Sequence, residues 1–231
     1  MSRGLVTFLV FLVLLVGGFA TVTWLVGPTM VSLALDDERR ETPFYLVHLL
    51  DAPDASGYFQ RFGPLLREEQ GQLLWRGGLR ALHAGRSEDE LTDMALIGFD
   101  AGAGLVQMLT SSAYRQLTDS TRPLLLGTPQ APGPIAQDET LVLWLLEASE
   151  ERTAAELEPL AATAGAYNGQ LIWSTPVVVL DGDRPWNYVL LLAFPDGEAV
   201  TRWLEDPGTG TDRALGRRHY LSDAMLELRA G

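Results

Sequence analysis

Residues 45–52, Tyr45-Leu-Val-His-Leu-Leu-Asp-Ala52, return later in the chain as Leu141-Val-Leu-Trp-Leu-Leu-Glu-Ala148. Two further pairs follow in the same order. Gly71-Gln-Leu-Leu-Trp75 matches Gly169-Gln-Leu-Ile-Trp173, and the stretch 96–109 matches 191–204. The offsets, 45 to 141, 71 to 169 and 96 to 191, are 96, 98 and 95 residues. Offsets constant within short loop insertions mark a duplication, and a duplication decides the fold before any local pattern does. The two repeats span 44–126 and 140–231, joined by a linker at 127–139 that opens Gly127-Thr-Pro-Gln-Ala-Pro-Gly-Pro134. Three prolines and two glycines make that linker an extended spacer with little helical tendency.

Within the first repeat the pattern predicts strand, helix, strand, strand, helix, strand. The apolar run 44–50 is a strand, and Tyr58, Phe59, Phe62, Leu65 and Leu66 form a helical stripe over 56–70, closed by Gly71. Strands are predicted at 73–82 and 94–99, a broken helix at 103–109 and 113–117, and a last strand at 124–126. The second repeat predicts strands at 140–146, 171–180, 187–194 and 224–228, with helices at 149–164 and 197–204. A βαββαβ unit leaves one sheet face uncovered by its own helices, so two copies can bury those faces together. The expected fold class is α+β, a pseudo-symmetric pair of ferredoxin-like units.

Ahead of the repeats, residues 4–35 carry no charge, and 5–26 alone supply the roughly 20 apolar residues that cross a bilayer as a helix. Residues 1–35 are therefore expected to be a transmembrane anchor bound to the lipid bilayer through 5–26, with 36–43 an acidic juxtamembrane linker. Arg3 precedes the span, whereas Arg39 and Arg40 follow it, a mixed signal that favours a cytoplasmic N-terminus. The expected location is the cell (inner) membrane, single-pass, with the repeats periplasmic or extracellular. A cleaved signal peptide is the rival, with small residues at Gly18-Phe19-Ala20 or Ser32-Leu33-Ala34.

The 231 residues carry 17 basic side chains, all Arg, against 30 acidic ones, a net charge of −13. An acidic surface whose only dense cation pair late in the chain, Arg217-Arg218, is too small a patch argues against nucleic-acid partners. Without Lys there is no Schiff-base or P-loop chemistry, and without Cys no disulfide or thiolate zinc site. No metal-binding spacing and no G-x-S-x-G elbow occurs, and Gly102-Ala-Gly104 lacks the third glycine of a dinucleotide fingerprint. No metal, cofactor or catalytic set is expected.

The second repeat carries Val177-Val-Val-Leu-Asp-Gly-Asp183 and Ala193-Phe-Pro-Asp-Gly-Glu-Ala-Val-Thr-Arg-Trp-Leu-Glu-Asp-Pro207. The first carries Trp75-Arg-Gly-Gly78 and Ser111-Ser-Ala-Tyr-Arg-Gln-Leu117. These stretches resemble the Leu-Glu-Gly-Asp turn, the Glu-Phe-Pro segment, the Val-Arg-Gly-Gly strand and the Ser-Pro-Glu-Tyr helix of the bacterial family called domain of unknown function 1330. That family lies within the dimeric α/β-barrel superfamily. Each repeat keeps part of the pattern, Arg76 being matched by Ser174. The resemblance implies an intramolecular pseudo-dimeric α/β barrel and no defined reaction.

Candidate ligand-binding residues are His48, Tyr58, Trp75, Arg76 and Arg80. His48 shares a strand face with Leu46 and Leu50, and its counterpart is Trp144, a swap that favours packing over ligation. Arg76 and Arg80, four apart in a strand, can share a face and hold a small carboxylate if that face is the barrel interior; otherwise they pair with surface acids. The aromatic residues can line an apolar cavity. The leading expectation is a membrane-anchored, non-enzymatic protein whose barrel binds a small acidic or apolar ligand or a protein partner. Superfamily relatives also suggest a cofactor-independent monooxygenase or isomerase using His48, Tyr58, Trp75 and Arg76. A purely structural or assembly element is the third reading.

Overall fold

The computed structural model describes residues 40–51, 54–82, 91–119, 121, 123–136, 138–148, 162–182, 186–206 and 220–230. The expected anchor lies outside these residues, as does most of the helix expected at 149–164. Among the described residues no helix is long and apolar enough to cross a membrane.

The first repeat runs β1 (Phe44–Leu50), α1 (Ala55–Glu68), β2 (Gly71–Ala81), β3 (Asp93–Phe99), α2 (Gly102–Thr110), α3 (Ser112–Thr118) and β4 (Leu124–Thr128). The second runs β5 (Thr140–Ala148), β6 (Gln170–Pro176), β7 (Val178–Asp181), β8 (Tyr188–Phe194), α4 (Gly197–Glu205) and β9 (Tyr220–Ala230). Residues 162–165, just ahead of β6, are also helical.

The strands pair in the order β6-β8-β5-β9-β2-β3-β1-β4-β7, antiparallel at every step. Each repeat thus shows the same order, β2-β3-β1-β4 and β6-β8-β5-β9, that of a ferredoxin-like unit. Only Val177 separates β6 from β7, so the two ends of the sheet are parts of one strand and the sheet closes on itself. The single strand expected at 171–180 is broken there because its partner changes. Gln170–Pro176 pairs with β8, Val178–Asp181 pairs with β4, and the Val177 amide donates to Asn187 instead. β2 makes the equivalent switch from β3 to β9 at Gly77 and Gly78 without a break.

Closure explains why β1 reads as a continuous apolar run rather than an alternating one. Val47 and Leu49 point into the barrel with Leu96, Leu126, Leu143, Leu145, Leu191 and Trp173 from both repeats. Leu46, His48 and Leu50 point outward under α1 and α3. A matching outer layer, with Val142, Trp144 and Leu146 under Val200 and Trp203, covers the second repeat. Strands buried on both faces lose the two-residue alternation of a half-exposed sheet.

The recurring Gly-Gln-Leu-x-Trp sequence also has a steric cause. α1 starts on Asp54, whose carboxylate accepts from the Gly57 amide at 2.9 Å, and ends before Gln70, which takes the left-handed conformation (φ 59). That role was expected of Gly71. Gly71 is instead required for space, because a Cβ there would meet Leu66 and lie 2.8 Å from Cε1 of Phe99. Asn168 (φ 57) and Gly169, whose Cβ would lie 2.5 Å from Phe194 Cε1, repeat the arrangement.

The linker is extended but docked. Thr128 Oγ1 meets Thr175 Oγ1 at 2.8 Å, the Trp173 indole donates to the Gln130 carbonyl at 3.1 Å, and the Gly133 amide donates to the Ile172 carbonyl at 2.9 Å. Ile135 then packs against the barrel core.

Candidate functional site

An irregularity in β2 decides which candidates meet. Leu73 pairs with Ile97 and Trp75 with Leu96, so Leu74 is an extra, bulged residue. A bulge shifts the alternation by one. Leu73, opposite Ile97 of the outer layer, faces α1, while Trp75 packs against the barrel core. Arg76 returns to the α1 side rather than the barrel interior. Its guanidinium carbon lies 4.3 Å from the centre of the Phe59 ring, and Nη2 reaches Asp93 Oδ1 at 3.5 Å and Ser56 Oγ at 3.4 Å. The Arg76 side chain keeps 31% of its surface exposed. These contacts fix its direction while leaving donors for another acceptor.

Beside Arg76 a cleft of about 460 Å³ opens between α1 and the start of β2. Phe59, Phe62, Gly63 and Leu66 line one wall, Gly71 and Leu73 the other, with Gln60, Gln72, Arg67 and Arg76 completing the lining. The volume falls in the range of small-molecule sites, and so does the pattern of apolar walls with few polar groups. The lining offers an apolar wall, Phe62 and Leu66, beside a guanidinium of the kind that can bind two oxygens of one carboxylate at once.

Beneath Phe59 and Phe62 lies a buried polar pair. The Tyr58 hydroxyl is 3.1 Å from His48 Nε2, and the imidazole packs edge-on to Tyr58, Phe59 and Phe62. His48 is fully buried, and burial pulls it down to about 3, so it is neutral at physiological pH. Its Nδ1 and the buried Tyr114 hydroxyl have no hydrogen-bond partner among the described residues. Burial pushes both tyrosines well up from their ordinary value, and the Asp181 carboxylate adds to the effect. Asp181 is itself raised by burial. It reaches this layer from the second repeat, where β7 pairs with β4 through Leu125 and Asp181.

The structure therefore brings His48, Tyr58 and Arg76 to one face around Phe59 and Phe62. Trp75 lies on the opposite face. Arg80 stands exposed in the part of β2 paired with β9, opposite Glu227 in register. Phe59 and Phe62 were visible in sequence only as a core stripe. Asp93, Tyr114 and Asp181 carried no sequence signal for this place, since each arrives from a different element.

The second repeat does not reproduce these groups. Trp144 fills the position of His48, and the counterparts of Arg76 and Asp93 are Ser174 and Tyr188, whose hydroxyls meet at 3.0 Å. Among the described residues no three metal-ligating side chains cluster.

No protein-family model and no curated protein matches the chain. Among solved structures, a mutant chlorite dismutase from Candidatus Nitrospira defluvii is similar at 12% identity, covering 85% of this chain and 95% of that one (TM-score 0.49). A candidate monooxygenase from Lactobacillus acidophilus NCFM is similar at 12% identity, covering 81% of this chain and 93% of that one (TM-score 0.46). A protein of unknown function from Rhodopseudomonas palustris is 18% identical and matches 44% of this chain over 92% of its own (TM-score 0.34). The barrel stands on the strand pairing of this chain.

Proposed function

We propose that the chain is a membrane-tethered, non-enzymatic binding module that holds one small apolar carboxylate in the cleft between α1 and β2. The observation that carries this reading is the Arg76 guanidinium fixed on Phe59 at the cleft of about 460 Å³. Two charge-assisted hydrogen bonds orient the anion, and the aromatic and aliphatic wall supplies area from which water is removed. Substitution of Arg76 by Ser174 and of His48 by Trp144 in the second repeat supports one such site per chain. The apolar stretch 5–26 supports the tether, with the repeats outside the cytoplasm, and the motifs around Trp75 and Phe194 support kinship to the domain of unknown function 1330 proteins.

A thermal-shift panel of short-chain and aromatic carboxylates beside the matching alcohols tests the binding reading. A ligand at a hundred times its dissociation constant stabilises the fold by about 2.7 kcal/mol. Carboxylates are expected to raise the melting temperature and alcohols to leave it unchanged. Equal shifts from both, or none from either, would refute the reading. Protease access to the repeats in intact spheroplasts tests the tether, and protection of the repeats would refute it.

The buried His48–Tyr58 pair favours a second reading, a cofactor-independent monooxygenase or isomerase. Its neutral imidazole and hydroxyl lie just under the wall of the cleft, where a proton could be exchanged with a bound substrate. Turnover that disappears in a folded Tyr58→Phe variant would establish it, and absence of turnover across a broad substrate panel would exclude it.

A further inference from the structure

We infer that the free edge of β2 over residues 71–76 docks an extended, uncharged, proline- and glycine-bearing segment of a partner protein. Among the described residues no strand pairs with this edge, because β9 reaches β2 only from Gly77 to Ala81. Sheet edges are commonly guarded by charge, proline or very short strands. Here residues 71–75 carry no charge, and Leu73 and Leu74, 52% and 44% exposed, are the most exposed large hydrophobic side chains described.

The chain itself shows what covers such an edge. In the second repeat the same strip, Leu171-Ile-Trp173, carries the same bulge, with Ile172 in the place of Leu74. The linker lies along it. The Gly133 amide bonds the Ile172 carbonyl, and the Trp173 indole bonds the Gln130 carbonyl. Gly133 passes so close that a Cβ there would lie 2.8 Å from the Ile172 oxygen. The occupant of the β6 edge is thus an uncharged run, Thr128-Pro-Gln-Ala-Pro-Gly-Pro-Ile135, held by one backbone bond, one indole and the Thr128–Thr175 hydroxyl pair. On β2 the equivalent carbonyl is that of Leu74 and the equivalent indole that of Trp75, so the edge fits a segment of the same chemistry. Main-chain bonds to an open strand supply affinity, and side chains beside them supply selection.

The test is binding of a labelled synthetic peptide of residues 128–136 to the full chain in mild detergent, read by fluorescence anisotropy. The expected result is saturable binding that weakens at least about tenfold in Leu74→Lys, measured at a temperature where thermal unfolding shows the variant folded, since Leu74 also borders Tyr45, Leu96 and the linker. A peptide carrying Ala in place of its Gly133 is expected to weaken similarly, a readout that needs no protein variant. Absence of binding, or binding indifferent to both changes, would overturn the inference. So would sedimentation showing that the chain dimerises through this edge and that Leu74→Lys breaks the dimer. Leu74 lies on the opposite face from the carboxylate cleft, so failure here leaves the carboxylate reading standing, and failure there leaves this one.

Discussion

The Tyr58 hydroxyl lies 3.1 Å from Nε2 of His48, and the other imidazole nitrogen is buried without a partner among the described residues. The pair is therefore half satisfied. Removing one member of a buried hydrogen bond strands the other at about 1–3 kcal/mol, whereas removing both for apolar groups is near neutral. Tyr58→Phe is expected to destabilise the fold by that amount and His48→Leu/Tyr58→Phe to recover most of it, measured by urea unfolding. Additive losses in the double variant would mean that the pair does not interact.

His48 also sets an expected pH response. Its folded value is about 3 against an ordinary 6.5, so between those limits the unfolded chain binds the extra proton. Stability from this group is complete above about 6.5 and falls toward pH 3, by at most about 1.4 kcal/mol per pH unit. Asp181, raised by burial, works in the opposite sense near the acid end of that window, since there the folded chain holds the extra proton. Tyr58 and Tyr114 add a second loss as pH rises past 10. Unfolding free energies from pH 7 to 4 are expected to decline in the wild type and much less in His48→Leu.

The glycines that recur at the start of β2 and β6 give a prediction about packing. A methyl group at Gly71 meets Leu66 and Phe99, and one at Gly169 meets Phe194. Forcing an added carbon into a filled layer costs about 1–3 kcal/mol. Gly71→Ala and Gly169→Ala are each expected to lower stability by that amount, while Gly197→Ala, whose Cβ meets nothing within 4 Å, is expected to leave it nearly unchanged. Thermal unfolding of the three variants checks this.

Arg76 separates binding from stability. Its ion pair with Asp93 is long and partly exposed, so it contributes no more than about 1 kcal/mol. Arg76→Gln is expected to keep the melting temperature within a few degrees while reducing carboxylate affinity tenfold or more. Ser174→Ala, at the equivalent place in the second repeat, is expected to leave affinity unchanged.

The three matched segments made the α+β class legible, and the described strands fall where the pattern places them except that 171–180 is broken at Val177. Closure was harder to read, because the partner switches at Val177 and Gly77 depend on the other repeat. The candidate site was partly legible. His48, Tyr58 and Arg76 stand out in the sequence, but the bulge at Leu74 decides that Arg76 faces the helices and Trp75 the barrel rather than the reverse, and no residue type announces a bulge. The cleft walls, Phe59 and Phe62, looked like ordinary core because a helical stripe has the same spacing whether it meets a strand or the side of a cleft. The composition of the linker predicted an extended chain and could not show that the chain docks on Ile172.

Carboxylate binding through Arg76 is tested most sharply by isothermal titration of the full chain with the best carboxylate from the panel, beside Arg76→Gln. One molecule is expected to bind per chain in the wild type, with at least a tenfold weaker complex in the variant. Two equivalent molecules per chain, or an affinity that Arg76→Gln leaves unchanged, would contradict it.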